Sequence, residues 1–372
     1  MKEISILHIM NDIEKANGSM SVVMNYYAQI YNKNIKFYFL FMKDSLAQDY
    51  KIEIESYGGK CRKICNPKNG FMKFRKELSE FCKEEYGRFD IVHIHLSYLA
   101  SYCFGIKKKL GAKKIIYHAH STQFSNTKMK SIRNCMLSIP TLINGDVLFA
   151  CSKDAGKALF GKRFDEKGIV IRNAINTEKF KKFDKSLLRE ELGLENKYVV
   201  GHIGTFNEGK NHKFIIDVFN ELIKIQSNAV LVLVGDGELR HDIENRVKQY
   251  GLTENVIFMG IRSDIPEILN VFDKLIFPSY FEGVPMVMLE AQACGVPCVY
   301  STTITSDVNI LKGLNVQLSL NDGAKQWANS LLNGKQNESL NQEEFKLSGY
   351  DIKYESEKLL QIYRKIANDE VV

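Results

Sequence analysis

Short runs of β-branched and apolar residues alternate with longer stretches of helical pattern along the whole chain, and this alternation restricts the fold more than any other feature. In the first half the strand-like runs cover 4–10, 35–42, 90–95, 114–120, 146–151 and 168–173. A second series covers 198–204, 229–235, 255–260, 274–278, 297–301 and, more weakly, 315–318. Runs so spaced, with helical pattern between them, read as parallel sheets built from βαβ units. Between residues 177 and 197 the pattern turns charged and strand-free, as in Lys179-Phe180-Lys181-Lys182-Phe183-Asp184, which predicts a linker between two domains. With 372 residues and 45% hydrophobic composition the chain has material for two cores. The expected architecture is α/β: a Rossmann-like domain over 1–180, a second over 181–352, and a C-terminal helix over 353–372. The apolar positions Leu359, Leu360, Ile362 and Tyr363 of that helix leave its packing partner open. Open sheets of this kind take ligands at the carboxyl ends of their strands, and two such domains facing each other would share a cleft.

No stretch reaches the ~20 consecutive apolar residues of a membrane-spanning helix. Met1-Lys2-Glu3-Ile4-Ser5 leads straight into an apolar run without the organisation of a signal peptide, and a cytoplasmic location is expected. Eight cysteines are scattered, and the close pairs Cys61/Cys65 and Cys294/Cys298 have three intervening residues, not the spacing common in zinc knuckles; the eight read as reduced, mostly buried thiols. The formal charge of +7 conceals an asymmetry: residues 1–180 hold 30 Lys and Arg against 17 Asp and Glu, the remainder 21 against 27. A basic first half points to an anionic partner such as a lipid headgroup or a phosphorylated acceptor. The densest cationic cluster is Lys107-Lys108-Lys109 with Lys113-Lys114, followed by Lys128, Lys130 and Arg133. Nucleic acid is not the expected partner, because no recognisable motif or stacking platform accompanies these charges.

The chemistry concentrates in Phe277-Pro278-Ser279-Tyr280-Phe281-Glu282-Gly283-Val284-Pro285-Met286-Val287-Met288-Leu289-Glu290-Ala291. A strand is expected to end at Pro278, a loop to turn at Gly283, and a helix to begin at Pro285, since proline suits a first helical position whose N–H has no acceptor anyway. The helix is expected to run to about Cys294 and stop at Gly295, with Pro297 beyond. Free N–H groups between Val284 and Val287, with the positive end of the helix dipole, would seat a phosphate. Glu282 lies in the loop and Glu290 two turns on. Carboxylates are poor partners for phosphate and good acceptors for sugar hydroxyls. A nucleoside diphosphate sugar, with hydroxyls at both ends and charge between them, matches that layout.

The Glu-x7-Glu segment with its Gly-Val-Pro, and Ala293-Cys294-Gly295-Val296-Pro297 downstream, resembles the donor-site signature of family 4 of the retaining glycosyltransferases. Further matches follow the family's order over nearly the whole chain: Gly18 in the first loop, His120 after the fourth strand run, Ile171-Arg172-Asn173-Ala174-Ile175-Asn176, Gly204 with Lys210-Asn211-His212, Val234-Gly235-Asp236-Gly237, and Gly260 to Asp264. The resemblance implies the GT-B architecture of two facing Rossmann-like domains with parallel sheets, and a nucleotide-sugar donor, UDP being common in the family. It implies that Glu290 binds the ribose hydroxyls, Glu282 lies near the donor sugar, Lys210 neutralises the diphosphate and His120 faces the sugar from the first domain. Gly283, Val284, Pro285 and Met286 would line the donor pocket, with Gly18 at the phosphate and Arg262 near the base. Thr205 stands where the family places an arginine beside the lysine, exchanging a bidentate donor for a hydroxyl. The Gly-Gly of many relatives is likewise Asn17-Gly18.

The family retains anomeric configuration without an established protein nucleophile, so no nucleophile is assigned. No Asp-x-Asp occurs in the chain, and a metal-independent reaction with no cofactor beyond the donor is expected. His93/His95 and His118/His120 each share a strand face, but no carboxylate stands at ligand spacing, and they read as polar lining with no metal site. By analogy the chain would move a hexose or N-acetylhexosamine from a UDP-sugar to a glycan or lipid-diphosphate-linked acceptor in bacterial capsule or exopolysaccharide synthesis. Its basic domain would lie peripherally on anionic membrane. Two alternatives keep the architecture: a non-catalytic subunit supporting a partner enzyme, suggested by Thr205, and a nucleotide-sugar epimerase, which needs acid and base groups flanking the sugar.

Overall fold

Thirteen strands, all paired in parallel, form two separate sheets in the computed structural model, which describes residues 3–371 except 16, 45–48, 126–127, 185, 312 and 334–341. The first sheet contains β1 (Ile4–Ile9), β2 (Ile35–Phe41), β3 (Lys60–Lys63), β4 (Ile91–Ile94), β5 (Lys114–Ala119), β6 (Val147–Ala150) and β7 (Gly168–Val170), in the order β3-β2-β1-β4-β5-β6-β7. The second contains β8 (Tyr198–Ile203), β9 (Ala229–Val234), β10 (Val256–Gly260), β11 (Lys274–Phe277), β12 (Cys298–Ser301) and β13 (Val316–Leu318), in the order β10-β9-β8-β11-β12-β13. Each order reverses beside its first strand, so the switch points fall between β1 and β4 and between β8 and β11. Parallel pairing gathers every carboxyl end of a sheet along one edge, and the segments that matter for chemistry leave from those edges. Both sheets are covered on their two faces, and β9 accordingly reads as an unbroken apolar run, every residue of it buried.

Two compact units result, one of Met1–Ala174 with Ile352–Val372, the other of Ile175–Asp351. The segment expected as a linker belongs to the second: Phe180 and Leu194 are buried in its core, and the Arg189 guanidinium donates to Val271 O at 2.7 and 3.1 Å and to Asp273 Oδ2 at 2.7 Å. Its lysines had masked this, because each apolar residue there is isolated among charges. The last helix, Ile352–Ala367, packs on the first unit, with the Tyr363 hydroxyl 2.9 Å from His93 Nδ1 and Lys113 Nζ donating to Ala367 O at 2.8 Å.

β3 was not expected. Its sequence, Lys-Cys-Arg-Lys, carries no apolar alternation because it is an edge strand with both ends exposed, and its pairing with β2 alone makes it a strand. Several runs also end one or two residues short of expectation, since Met10, Met42, His95 and Gly204 leave the ladder to begin the loops at the carboxyl edge.

Candidate active site

The helix Met286–Ala293 starts one residue later than the sequence predicts. Pro285 is its cap residue, with φ −71° and ψ 116°, because the pyrrolidine ring fixes φ but leaves ψ free to hold the loop extended. Gly295, at φ +76°, closes the other end, where the N–H groups of Gly295 and Val296 donate to Gln292 O at 2.9 Å and Ala291 O at 2.8 Å. The sequence Met-Val-Met-Leu-Glu-Ala-Gln-Ala has little amphipathic character because the helix is buried from Met288 to Ala293. Met288 N donates to Pro285 O at 3.2 Å, which leaves the N–H groups of Met286 and Val287 as those with no acceptor within the helix. Gly283, Val284 and Pro285 are buried at the entering turn, and the Met286 side chain packs against the core, so Met286 offers a ligand its backbone.

Two polar side chains on this helix are buried in opposite circumstances. Gln292 is saturated: its amide donates to Met288 O at 2.9 Å and Val308 O at 2.7 Å, and its carbonyl accepts from Ile310 N, Leu311 N and Asn315 Nδ2 at 2.8 to 3.2 Å. Glu290 is only 8% exposed, and no described residue lies within hydrogen-bonding distance of its carboxylate. Burial pushes its carboxyl from 4.5 up to about 7, and the charge of Lys179 offsets this only in part. Gln292 holds the fold together; Glu290 is an acceptor left open.

Lys210 and Glu282 come together from different loops. Lys210 ends the turn after β8, where Asn207 Oδ1 accepts from its N–H at 3.2 Å, and Asn211 follows in the left-handed region at φ +56°. Tyr280 N donates to Gly209 O at 2.9 Å and Asn211 Nδ2 to Pro278 O at 3.3 Å, tying this turn to the loop after β11. Lys210 Nζ therefore lies 2.5 Å from Glu282 Oε1 and 4.8 Å from the centre of the Phe277 ring. Glycine is required nearby at Gly235: it has φ +128°, and a Cβ would stand 2.2 Å from Gly204 O. The tips of β8 and β9 thus touch through bare backbone. Thr205 is exposed, while Arg262 is committed to a bidentate pair with Asp264 at 2.6 and 2.8 Å.

In the first unit Gly18 opens the helix Gly18–Ile30. Asn17, in place of the family's glycine, caps it: Oδ1 accepts from Ser19 N at 3.1 Å and Met20 N at 3.3 Å, while Nδ2 donates to the buried Asp12 at 2.8 Å. A Cβ on Gly18 would meet nothing within 4 Å, so open space adjoins this cap. His120 joins a group the sequence had shown only as two pairs. His8 Nδ1 lies 2.8 Å from His95 Nε2, and His95 Nδ1 lies 2.8 Å from His120 Nε2. His93 and His118 stack against these rings, because β1, β4 and β5 are neighbours and their alternate residues share a face. Sequence reading missed His8; its position at the alternation of Ile6 and His8 beside those pairs was the available signal. Burial lowers His8 to about 3 and His120 to about 4, so both are neutral at physiological pH. The ring nitrogens of two overlapping triads, His8/His93/His95 and His95/His118/His120, lie within 4.8 Å of one another.

Two family profiles cover most of the chain: Glycosyltransferase Family 4 over residues 32–179 and Glycosyl transferases group 1 over 184–315. The putative glycosyltransferase EpsF of Bacillus subtilis is 30% identical over 96% of this chain and 96% of its own length. The chain belongs to glycosyltransferase family 4. A further relative of this glycosyltransferase, the UDP-Gal:alpha-D-GlcNAc-diphosphoundecaprenol alpha-1,3-galactosyltransferase of Escherichia coli, is 31% identical over 65% of this chain and 64% of its own. The crystal structure of HepE from Anabaena, in complex with UDP and glucose, matches with a TM-score of 0.76 over 99% of both chains at 17% identity. The family 4 glycosyltransferase thus has the GT-B fold, as its motifs imply.

Proposed function

We propose that this glycosyltransferase transfers a hexose or N-acetylhexosamine from a UDP-sugar, with retention and without a metal on the diphosphate, to a glycan or lipid-diphosphate-linked acceptor of bacterial surface polysaccharide. The observation that carries the donor reading is the buried carboxylate of Glu290, without a hydrogen-bond partner among the described residues, on the helix whose free N–H groups follow Pro285. Two vicinal ribose hydroxyls would supply the missing hydrogen bonds and return the carboxylate to its charged form. The helix N-terminus takes the diphosphate charge, and Lys210 exchanges Glu282 for the phosphate as the bond to the anomeric carbon weakens. Glu282, released from Lys210, accepts from a hydroxyl of the sugar. His120 enters as a neutral imidazole that positions a hydroxyl or stabilises positive charge at the anomeric carbon. The HepE structure holds UDP and glucose, and the E. coli relative is a galactosyltransferase acting from UDP-Gal on a GlcNAc-diphosphoundecaprenol, which supports the choice of both donor and acceptor class.

Attachment of the basic first unit to anionic membrane completes the proposal, because a lipid-linked acceptor is presented at that surface. Turnover of a panel of nucleotide sugars with a lipid-diphosphate glycan, followed by product stereochemistry with and without chelator, tests it. Transfer from no nucleotide sugar, or inverted product, refutes it.

A further inference from the structure

The helix Lys128–Asn144 of the first unit has its side chains inside out. Facing the protein are Asn134, Ser138 and Thr141, all buried, with Asn134 Nδ2 donating to Phe124 O at 2.8 Å and Ser101 Oγ donating to Leu137 O at 2.7 Å. Facing outward are Met129, Ile132, Met136, Ile139 and Ile143, exposed to 84, 64, 64, 53 and 68%. Their spacing of three and four residues keeps them within about 80° of arc along about 21 Å of helix. Scattered exposed hydrophobic residues need no explanation, but an unbroken stripe of five on a helix that buries its polar side does.

Cations border the stripe. On a helical projection Lys128 stands on one side of it and Arg133 on the other, with Lys130 beyond, and the helix contains no acidic residue. Lys68, outside the helix, lies near enough that Arg133 and Lys130, after burial, hold its ammonium below the usual value. Among the described residues no carboxylate pairs with Lys128, Lys130 or Arg133. A stripe of this spacing could form a seam with a second copy, but that would bring the cations of two copies together with no acid on either helix to meet them. An anionic lipid surface complements both the stripe and its borders.

We propose that the helix Lys128–Asn144 lies in the membrane interface, its apolar stripe at the boundary of headgroups and acyl chains and its flanking cations on lipid phosphates. This rests on the membrane attachment proposed above and replaces a diffuse basic face with one inserted element. The helix follows the loop that begins at His120, so insertion tethers that loop to the surface on which a lipid-linked acceptor resides.

The test uses the full chain and a Met136→Glu/Ile139→Glu variant, both positions being exposed, in co-sedimentation with phosphatidylcholine vesicles with and without phosphatidylglycerol. Parent protein should favour the anionic vesicles, and the variant should bind them more weakly by at least about tenfold. UDP affinity, measured by calorimetry, should be equal in the two, which shows that the variant is folded. Equal vesicle binding by variant and parent overturns the proposal, as does a parent that ignores both kinds of vesicle. A parent that dimerises through the stripe without binding vesicles assigns the face to a second copy and overturns it too. Loss of UDP binding in both proteins would instead refute the donor site and leave the membrane result standing.

Discussion

Replacing Glu290 with glutamine separates its proposed role from that of a core residue. The folded protein holds this carboxyl at about 7 against an ordinary 4.5. Because the folded value is raised, the folded state binds the extra proton between those pH values, and stability falls as pH rises through that window and levels off above it. A difference of about 2.5 pH units at 1.36 kcal/mol each gives about 3 kcal/mol of destabilisation at pH 8, to the order of magnitude. Glutamine keeps the shape and cannot ionise. Thermal unfolding of parent and Glu290→Gln between about pH 4.5 and pH 8 should therefore diverge with rising pH, the variant ending higher by about 6 to 12 °C for a unit of this size. Taking the difference cancels other groups that titrate alike in both proteins. Nucleotide binding should run the opposite way in the parent: UDP needs the charged carboxylate, so its Kd should rise about tenfold per pH unit below about 7, and Glu290→Gln should bind more weakly without that dependence. Parallel unfolding curves, with UDP affinity independent of pH in both proteins, would show that the carboxylate is neither strained nor waiting for a ligand.

Lys210→Ala should lower kcat by about one to two decades with a smaller change in KM, since a charge-assisted bond of about 1.5–3 kcal/mol to the departing diphosphate is lost; steady-state kinetics showing only a KM change would place Lys210 outside the chemistry. Thr205→Arg should be tolerated or activating because the threonine is exposed, and a large drop in transfer rate would mean that the pocket is built around the hydroxyl. The five clustered histidines of the first unit, four buried and His120 half-buried, titrate below their ordinary value, His8 to about 3 and His120 to about 4, so the stability they allow is complete above pH 6.5 and is lost as pH falls below it. Each adds up to about 1.4 kcal/mol of loss per pH unit in that window. Unfolding temperatures that stay level from about pH 6.5 to pH 5 would contradict the buried neutral cluster.

The two parallel sheets were legible because buried parallel strands are apolar on both faces and short, which leaves twelve of the thirteen visible as runs. β3 escaped because an edge strand needs no apolar pattern, and the segment 177–197 was misjudged because packing used only Phe180 and Leu194 out of a charged stretch. At the site, the Glu-x7-Glu spacing announced two carboxylates. It could not show that Glu282 is held by Lys210 while Glu290 has no hydrogen-bond partner among the described residues. The histidines appeared as two strand pairs, and only the placement of β4 between β1 and β5 made a connected group of five.

What the sequence by itself determined is local: strand and helix periods, the proline and glycine that bracket the helix Met286–Ala293, and which residue types stand at the motif positions. Tertiary structure alone decided who meets whom and at what cost. Lys210 finds Glu282 across 72 positions of chain, and Glu290 and Gln292, two residues apart on one helix, are left open and saturated respectively. The inverted helix Lys128–Asn144 teaches the same distinction, since periodicity marks an apolar stripe but only packing tells whether it faces in or out. Burial and pairing are properties of neighbours brought from elsewhere in the chain, and no local pattern encodes them.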